Sequence, residues 1–244
     1  MNSQQKEYPE IYIYMGESID GKGTGDLLRV PESRPGVIYY FKNEYSFGAK
    51  SILMGRTTYQ EFIGNKEIDY TGITGDNIEK KDYLSENRKK TDYYYISIDK
   101  NGKLLWSKGL GLYGGMFGRT QETHIITILS EDVDPKYLAY LQKIGVSYIF
   151  AGEKAIDLKI AIKKLKNLFG IEKILVEGGP KTAELFLKEN LVEKLIIVKL
   201  PVIGQPGSLP VFGEANLSKW ELESFLMLPD KQTVMLTYKA KKDS

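Results

Sequence analysis

A short apolar segment that runs directly into two glycines and a proline limits the possible folds more than any other part of the chain. Residues 174–176 (I-L-V) have the composition of a strand buried on both faces, and the helix expected after them begins at Pro180. Because Gly178 and Gly179 carry no side chain, a ligand can approach the backbone of the turn closely. The N–H groups at the start of the helix favour a phosphate. A tight turn that binds nothing explains the same pattern equally well.

Strands and helices alternate through the middle of the chain. Asp134 and Asp157 are typical helix N-caps, and the apolar residues at helical spacing that follow them end at Gly145 and Gly170. Residues 220–238 have instead the pattern of two antiparallel strands. This order predicts an α/β fold, a three-layer α/β/α sandwich around a mixed, mostly parallel central sheet.

The expected domain organisation is simple. Residues 1–8 are predicted to form a flexible N-terminal tail, and residues 9–244 a single domain with an insertion-like region at about 65–118. Within that region, a strand at 93–98 followed by a glycine-containing turn predicts a hairpin whose second arm is 103–106. Residues 109–118 are rich in glycine and are expected to form a loop.

Composition excludes several kinds of chemistry. The chain has no cysteine, which excludes disulfides and thiolate sites, and its single histidine, His124, begins an apolar run that indicates a structural role. With 34 Lys and Arg against 32 Asp and Glu, the net charge of +2 is too balanced to predict nucleic-acid binding. No apolar stretch reaches the ~18 residues of a membrane span, and because residues 1–10 are polar we expect no signal peptide there. We therefore expect no metal, nucleic-acid or membrane partner, and a cytoplasmic protein.

A second strand-to-helix corner carries polar side chains. Gly55, Arg56, Thr57 and Thr58 follow a short apolar strand and begin a short helix. They offer a planar guanidinium and two hydroxyls to a phosphate, although an ordinary helix start with a surface arginine has the same appearance. Two such corners in one chain favour a dinucleotide whose phosphates lie between them.

A third segment follows the first predicted strand. Ser18, Asp20 and Lys22 lie in a glycine-rich loop that is suited either to a polar substrate or to a solvated turn. The nearby G-K-G-T-G at 21–25 lacks the Gly-Lys-Ser/Thr ending of a P-loop, which we exclude.

In this order, the three segments resemble the reductase family that includes the C-terminal domain of the bifunctional riboflavin-biosynthesis protein RibD. The likeness is strongest over residues 174–204, which begin I-L-V-E-G-G-P-K-T and end K-L-P-V-I-G, and it continues at 209–212 (L-P-V-F). It extends over about residues 11–62 and 124–238. The resemblance implies a dihydrofolate reductase-like fold, a homodimer, and hydride transfer from NADPH to a small heterocyclic substrate, as in 5-amino-6-(5-phosphoribosylamino)uracil reductase.

The resemblance also implies cofactor-binding residues. Residues 55–58 would contact the phosphates of NADPH, and Leu129 and Ser130 would lie near its adenosine phosphate. The turn of Gly178 and Gly179 would pack against the pyrophosphate and the nicotinamide. Three residues at the start of the following helix complete the set: Pro180, Lys181 and Thr182.

On the substrate side, the resemblance implies that Asp20 and Glu177 are the catalytic carboxyls, which bind substrate N–H groups or relay a proton, with Ser18 and Lys22 beside them. The chain departs from the riboflavin enzymes at two places. Tyr14 stands where they often carry a lysine, and residues 60–62 (Q-E-F) stand where they often carry Asp-Asn-Pro. The alternative to an enzyme is therefore a non-catalytic NADP(H)-binding module on the same fold.

Overall fold

The computed structural model describes residues 7–64, 68–111, 121–216 and 218–241. Most of the predicted tail and residues 112–118 of the predicted glycine-rich loop lie outside these ranges. The strands are β1 (Glu10–Glu17), β2 (Ser51–Gly55), β3 (Tyr94–Ile98), β4 (Leu110–Gly111), β5 (Thr123–Leu129), β6 (Ser147–Phe150), β7 (Lys173–Gly178), β8 (Lys194–Lys199), β9 (Trp220–Met227) and β10 (Val234–Ala240). The α-helices are α1 (Arg34–Asn43), α2 (Arg56–Ile63), α3 (Pro135–Ile144), α4 (Leu158–Phe169) and α5 (Pro180–Lys188).

The first of two compact units contains residues 7–9, 50–64, 68–111 and 121–174. Its strands β2, β3, β5 and β6 are parallel and pair in that order, and β4 is antiparallel to β5. Gly55 pairs with Ile98, and Ile98 pairs with Ile128. The carboxyl ends of β2, β3 and β5 therefore lie at one edge of this sheet, where ligands of α/β proteins bind.

The predicted hairpin after β3 is wrong. Residues 103–106 form no strand, because both edges of β3 are already paired, with β2 on one side and β5 on the other. The carboxylate of Asp99 instead accepts hydrogen bonds from the backbone N–H groups of Lys103 (2.7 Å) and Leu104 (2.8 Å). The sequence contains the residues of a turn after β3, but neither edge of β3 is free to pair with a second hairpin strand.

Part of the predicted insertion packs on β6. Tyr83 and Tyr148 exchange both backbone hydrogen bonds, at 2.9 and 3.0 Å. Asp82 accepts a hydrogen bond from the N–H of Phe150 (2.8 Å) and forms an ion pair with Lys164 (2.9 Å). This part of the insertion-like region is therefore bonded to the edge strand of the first unit.

The second unit contains residues 10–49, 175–216 and 218–241. Its strand order is β7-β1-β8-β10-β9, with β1 parallel to β8 and with β10 antiparallel to both of its neighbours. Tyr12 and Tyr14 of β1 pack with Ile196 and Val198 of β8 in a core cluster that also contains residues of α1. This cluster marks the face of the sheet that α1 covers.

The predicted α/β class with a mixed, mostly parallel sheet is confirmed. The caps expected at Asp134 and Asp157 accept hydrogen bonds from first-turn N–H groups, and Gly145 and Gly170 end the helices in the left-handed conformation. Helix α1 had no clear sequence signal, since its apolar residues were compatible with a strand as well. Among the described residues, no helix combines the length and the apolar character needed to span a membrane.

Candidate functional site

The start of α2 presents backbone donors at the end of β2. Gly55 precedes the helix with an extended backbone (φ −73°, ψ 160°), and no side chain of the described residues caps it. Arg56 and Thr58 are half-buried, Thr57 is exposed, and the Arg56 guanidinium donates a hydrogen bond to Gln60 one turn later. First-turn N–H groups, a guanidinium and two hydroxyls together suit a phosphate.

Leu129 and Ser130 lie at the end of β5, at the same edge as Gly55. Both side chains are fully buried. The Ser130 hydroxyl donates to the backbone carbonyl of Lys100 (3.0 Å), and the Ser130 N–H donates to the same oxygen (3.1 Å). These contacts connect the loops after β3 and β5, so a ligand at this edge would meet backbone here rather than the two predicted side chains.

Asp99, between these two segments, was not singled out from the sequence. It follows β3 directly and is fully buried. One carboxylate oxygen, Oδ2, accepts from Tyr137 Oη (3.1 Å) and from two backbone N–H groups, whereas Oδ1 has no hydrogen-bond partner among the described residues. Burial raises the pKa of Asp99, against the lowering effect of these hydrogen bonds and of the Arg56 charge. The signal in the sequence was an acidic residue directly after a buried strand.

In the second unit, β7 ends in the predicted glycine turn. Gly178 has φ 135°, a conformation that favours glycine, and the peptide bond between Gly178 and Gly179 is cis. Gly179 precedes α5, and Pro180 occupies the first helical turn, where an N–H has no intrahelical partner to lose. Lys181 is exposed and Thr182 is buried. Gly179 is half-exposed and carries no side chain of its own.

Glu177 lies immediately before this turn and is 7% exposed. Side chains alternate along a strand, so Glu177 shares a face with Leu175, which belongs to the cluster beside Tyr14. Burial raises the pKa of Tyr14, and the Glu177 charge raises it further, which places the two groups in electrostatic reach of each other. The structure thus brings a carboxyl to the end of a buried strand on the α1 face.

Tyr14, one of the positions at which the sequence departs from the family that it resembles, is a core residue. It is fully buried, and its ring stacks on that of Tyr40 with centroids 4.1 Å apart. The Tyr14 hydroxyl donates to the carbonyl of Tyr40 (3.0 Å), and the Tyr40 hydroxyl donates to the carbonyl of Tyr14 (2.8 Å). This reciprocal pair occupies both hydroxyls in holding β1 to α1.

The loop after β1 is bound to a distant segment. Asp20 is exposed, and its Oδ1 accepts from Ser18 Oγ (2.6 Å) and from the N–H of Gly204 (2.8 Å). These hydrogen bonds lower the pKa of Asp20. A Cβ on Gly204 would lie 2.3 Å from Cγ of Lys22, so the close approach of the two segments requires a glycine there. The structure brings together residues 18–22 and 200–211, two of the segments that carry the family resemblance.

His124 is built into the first unit. It is fully buried, its Nε2 lies 2.8 Å from Ser147 Oγ, and burial lowers its pKa to about 4. In the described part of the chain, no three His, Cys, Asp or Glu side chains group as metal ligands. A cavity of about 210 Å³ is lined by residues 77–79 and 81–83 with Gln142 and Tyr148, and none of the predicted site residues lines it.

Comparisons with known proteins agree with this architecture. The family model of the RibD C-terminal domain matches residues 112–234, half of the chain. No curated protein matches the sequence.

Several solved structures share the fold. A pyrimidine reductase-like protein from Corynebacterium diphtheriae has a TM-score of 0.62 at 20% identity, over 96% of this chain and 93% of that one. The riboflavin biosynthesis reductase Rib7 of Saccharomyces cerevisiae has a TM-score of 0.63 at 17% identity, over 98% and 93%. RibD of Acinetobacter baumannii has a TM-score of 0.57 at 15% identity, over 98% of this chain and 60% of its own length.

Proposed function

The chain belongs to the RibD C-terminal domain family, and we propose that it is a reductase that transfers hydride from NADPH to a small heterocyclic substrate. The observation that carries the proposal is the family match over residues 112–234, which includes the Glu-Gly-Gly-Pro corner at the end of β7. Two of the solved structures with this fold are named as a pyrimidine reductase-like protein and a riboflavin biosynthesis reductase.

The two strand-to-helix corners suit a phosphorylated cofactor. We assign residues 55–58 to the phosphates, with the backbone at Leu129 and Ser130 near the adenosine phosphate. The Gly178 and Gly179 turn, with Pro180, Lys181 and Thr182, is assigned to the pyrophosphate and nicotinamide. The first corner offers first-turn N–H groups to a phosphate. At the second corner, Pro180 has no N–H and the Thr182 N–H donates to the carbonyl of Gly179 (2.9 Å), so Lys181 is the first-turn residue that can offer its N–H.

When bound, NADPH supplies the hydride, and the protein supplies position and charge. Glu177 is the carboxyl that we assign to binding a substrate N–H or relaying a proton, because it is nearly buried at the end of β7. Asp20 is the second predicted carboxyl. Its low pKa and its bonds to Ser18 and Gly204 suit a carboxylate that shapes the substrate loop with Lys22 more than one that donates a proton.

NADPH titration tests the proposal. A ligand at about a thousand times its Kd stabilises the folded state by roughly 4 kcal/mol, which raises the melting temperature by several degrees. We expect this shift with NADPH and a smaller one with NADH, followed by differential scanning fluorimetry and by NADPH fluorescence. The absence of any shift with NADPH and with NADP⁺ would refute the assignment of the cofactor.

Arg56→Ala locates the first corner on the cofactor. If the guanidinium binds the 2′-phosphate, the variant loses NADPH affinity and keeps its NADH affinity, whereas equal loss places Arg56 at the pyrophosphate. Lys90→Ala is the control, because it removes an exposed cation that has no assigned role in cofactor binding. Dissociation constants for both dinucleotides in the three proteins decide between these outcomes.

A non-catalytic NADP(H)-binding module is the alternative. It is favoured by the burial of Tyr14 and by the bonds that hold Asp20 within its loop. Tight NADPH binding with no oxidation across pyrimidines, pterins and dihydrofolate would support this alternative and would contradict the reductase.

A further inference from the structure

The cavity of about 210 Å³ in the first unit is lined by no residue that we assign to the cofactor or to the substrate. Its walls come from residues 77–79 and 81–83, from Gln142 near the end of α3 and from Tyr148 of β6. A protein cavity of about 150 Å³ is enough to hold a benzene ring. This cavity therefore has room for a single six-membered ring with its substituents.

The walls of the cavity are fixed by contacts within the chain. Tyr83 and Tyr148 exchange both backbone hydrogen bonds, and the centroids of their rings lie 5.5 Å apart. Lys80, in the same segment as Tyr83, donates a hydrogen bond from Nζ to the carbonyl of Glu131 (2.6 Å). Because the segment is anchored at two points, a ligand meets a cavity that is already formed, and little ordering of the chain accompanies binding.

Two side chains of the cavity have hydrogen-bonding groups that the rest of the protein does not use. Tyr148 is fully buried, and its Oη accepts a hydrogen bond from Gln142 Nε2 (2.8 Å). In the part of the chain that the structure describes, the Tyr148 O–H has no acceptor and Gln142 Oε1 has no donor. Since buried polar groups nearly always have partners, this neighbouring donor and acceptor are available to a ligand in the cavity.

The charged groups around the cavity are paired with opposite charges. Glu79 forms an ion pair with Lys81, and Asp82 forms one with Lys164 (2.9 Å). Burial raises the pKa of Tyr148, so its hydroxyl remains protonated and can donate at neutral pH. A charged ligand would have to lose its hydration and compete with these ion pairs, whereas a neutral ligand does neither. The cavity therefore favours a neutral ligand.

We propose that this cavity binds a neutral six-membered heterocycle with a lactam edge, the chemistry shared by pyridones and pyrimidinones. A lactam carries an N–H donor next to a C=O acceptor. The N–H donates to Gln142 Oε1, the C=O accepts from Tyr148 Oη, and the ring packs against Tyr83. The inference is independent of the proposed reductase activity, because the two sites share no residue.

Equilibrium dialysis of 2-pyridone, the simplest ligand of this class, against the full chain tests the proposal. We expect saturable binding to the wild type at one site per chain. Gln142→Leu and Tyr148→Phe each remove one of the two hydrogen-bonding groups and should weaken that binding by about tenfold. Gln232→Leu is the matched control, because it makes the same change at an exposed position outside the cavity and should bind 2-pyridone as the wild type does. Circular dichroism and thermal melts confirm that each variant is folded.

N-methyl-2-pyridone tests the role of the lactam N–H. It keeps the ring and the carbonyl but has no N–H, so the wild type should bind it about tenfold more weakly than 2-pyridone, while Gln142→Leu should bind the two ligands equally. The proposal is overturned by the absence of saturable 2-pyridone binding, by equal affinity of the wild type for both ligands, or by unchanged affinity in both cavity variants. Binding that is weakened by Glu177→Gln and not by the cavity variants also overturns it, because that result assigns the ligand to the substrate position at the end of β7.

Discussion

Three carboxyls illustrate how the surroundings of a single residue decide its chemistry. Asp20 is exposed and ionised, with a pKa lowered by hydrogen bonds from Ser18 and Gly204. Asp99 is buried, and its pKa is raised although three donors contact one of its oxygens. Glu177 is nearly buried at the end of β7. By position, Glu177 is suited to contacting a substrate and Asp20 to holding the loop after β1. Asp99 is suited to fixing the turn after β3.

Glu177→Gln and Asp20→Asn separate these roles. If Glu177 relays a proton, its amide variant loses on the order of 10²–10⁴-fold in kcat and keeps its affinity for NADPH. Asp20→Asn should lower the melting temperature and raise KM while it leaves kcat largely unchanged, because the substrate loop loses two charge-assisted hydrogen bonds. Steady-state kinetics with a turnover substrate and thermal melts measure both. A larger loss of kcat in Asp20→Asn would reverse the assignment.

At the scale of elements, the residues that we assign to the site lie where strands end and helices begin. In the first unit, parallel pairing brings the ends of β2, β3 and β5 to one edge, so three loops meet there by geometry alone. In the second unit, β7 passes through two glycines into α5. The two glycines are not equivalent, since Gly178 needs φ 135° whereas Gly179 has φ −81°, which any residue adopts.

Gly179→Val uses that difference. The backbone at Gly179 accepts a β-branched residue, so the variant should fold, while the new side chain blocks the approach of a phosphate to the turn. We expect NADPH affinity to fall by at least about tenfold, or 1.4 kcal/mol, with a small change in melting temperature. Gly178→Val is the matched comparison and should lower stability as well, because its φ is unfavourable for valine. Normal NADPH binding by folded Gly179→Val would contradict the role of the turn.

At the scale of the whole molecule, buried titratable groups connect the free energy of unfolding to pH. Burial lowers the pKa of His124 from 6.5 to about 4. At a pH between these two values, the imidazole is therefore protonated in the unfolded chain and neutral in the folded one. The stability from the neutral ring is complete above about pH 6.5 and is lost as the pH falls toward 4. The contribution of Asp99 to the free energy of unfolding depends on pH in the opposite direction. Burial raises the pKa of its carboxyl, so the folded state is favoured while the carboxyl is protonated, and that contribution is lost as the pH rises above 3.8.

His124→Gln isolates the histidine contribution. The lowering of the His124 pKa from 6.5 to about 4 corresponds to roughly 3 kcal/mol of unfolding free energy lost between neutral pH and pH 4. The variant should show a correspondingly flatter pH dependence in urea unfolding, at some cost in stability at neutral pH. Asp99→Asn should change the slope in the other direction. An unchanged slope in His124→Gln would show that the ring is not held neutral.

Much of this protein could be inferred from neighbouring residues in the chain. The caps at Asp134 and Asp157, the glycine corner after β7 and the family resemblance are local patterns, because they depend on periodicity and on residues a few positions apart. Contacts between distant residues depended on the fold. Asp20 is held by Gly204, 184 positions away, the Tyr14 and Tyr40 hydroxyls are used by each other's backbone, and the hairpin after β3 fails because β2 and β5 take both edges. Strand order and register decide such pairings, and no local pattern encodes them.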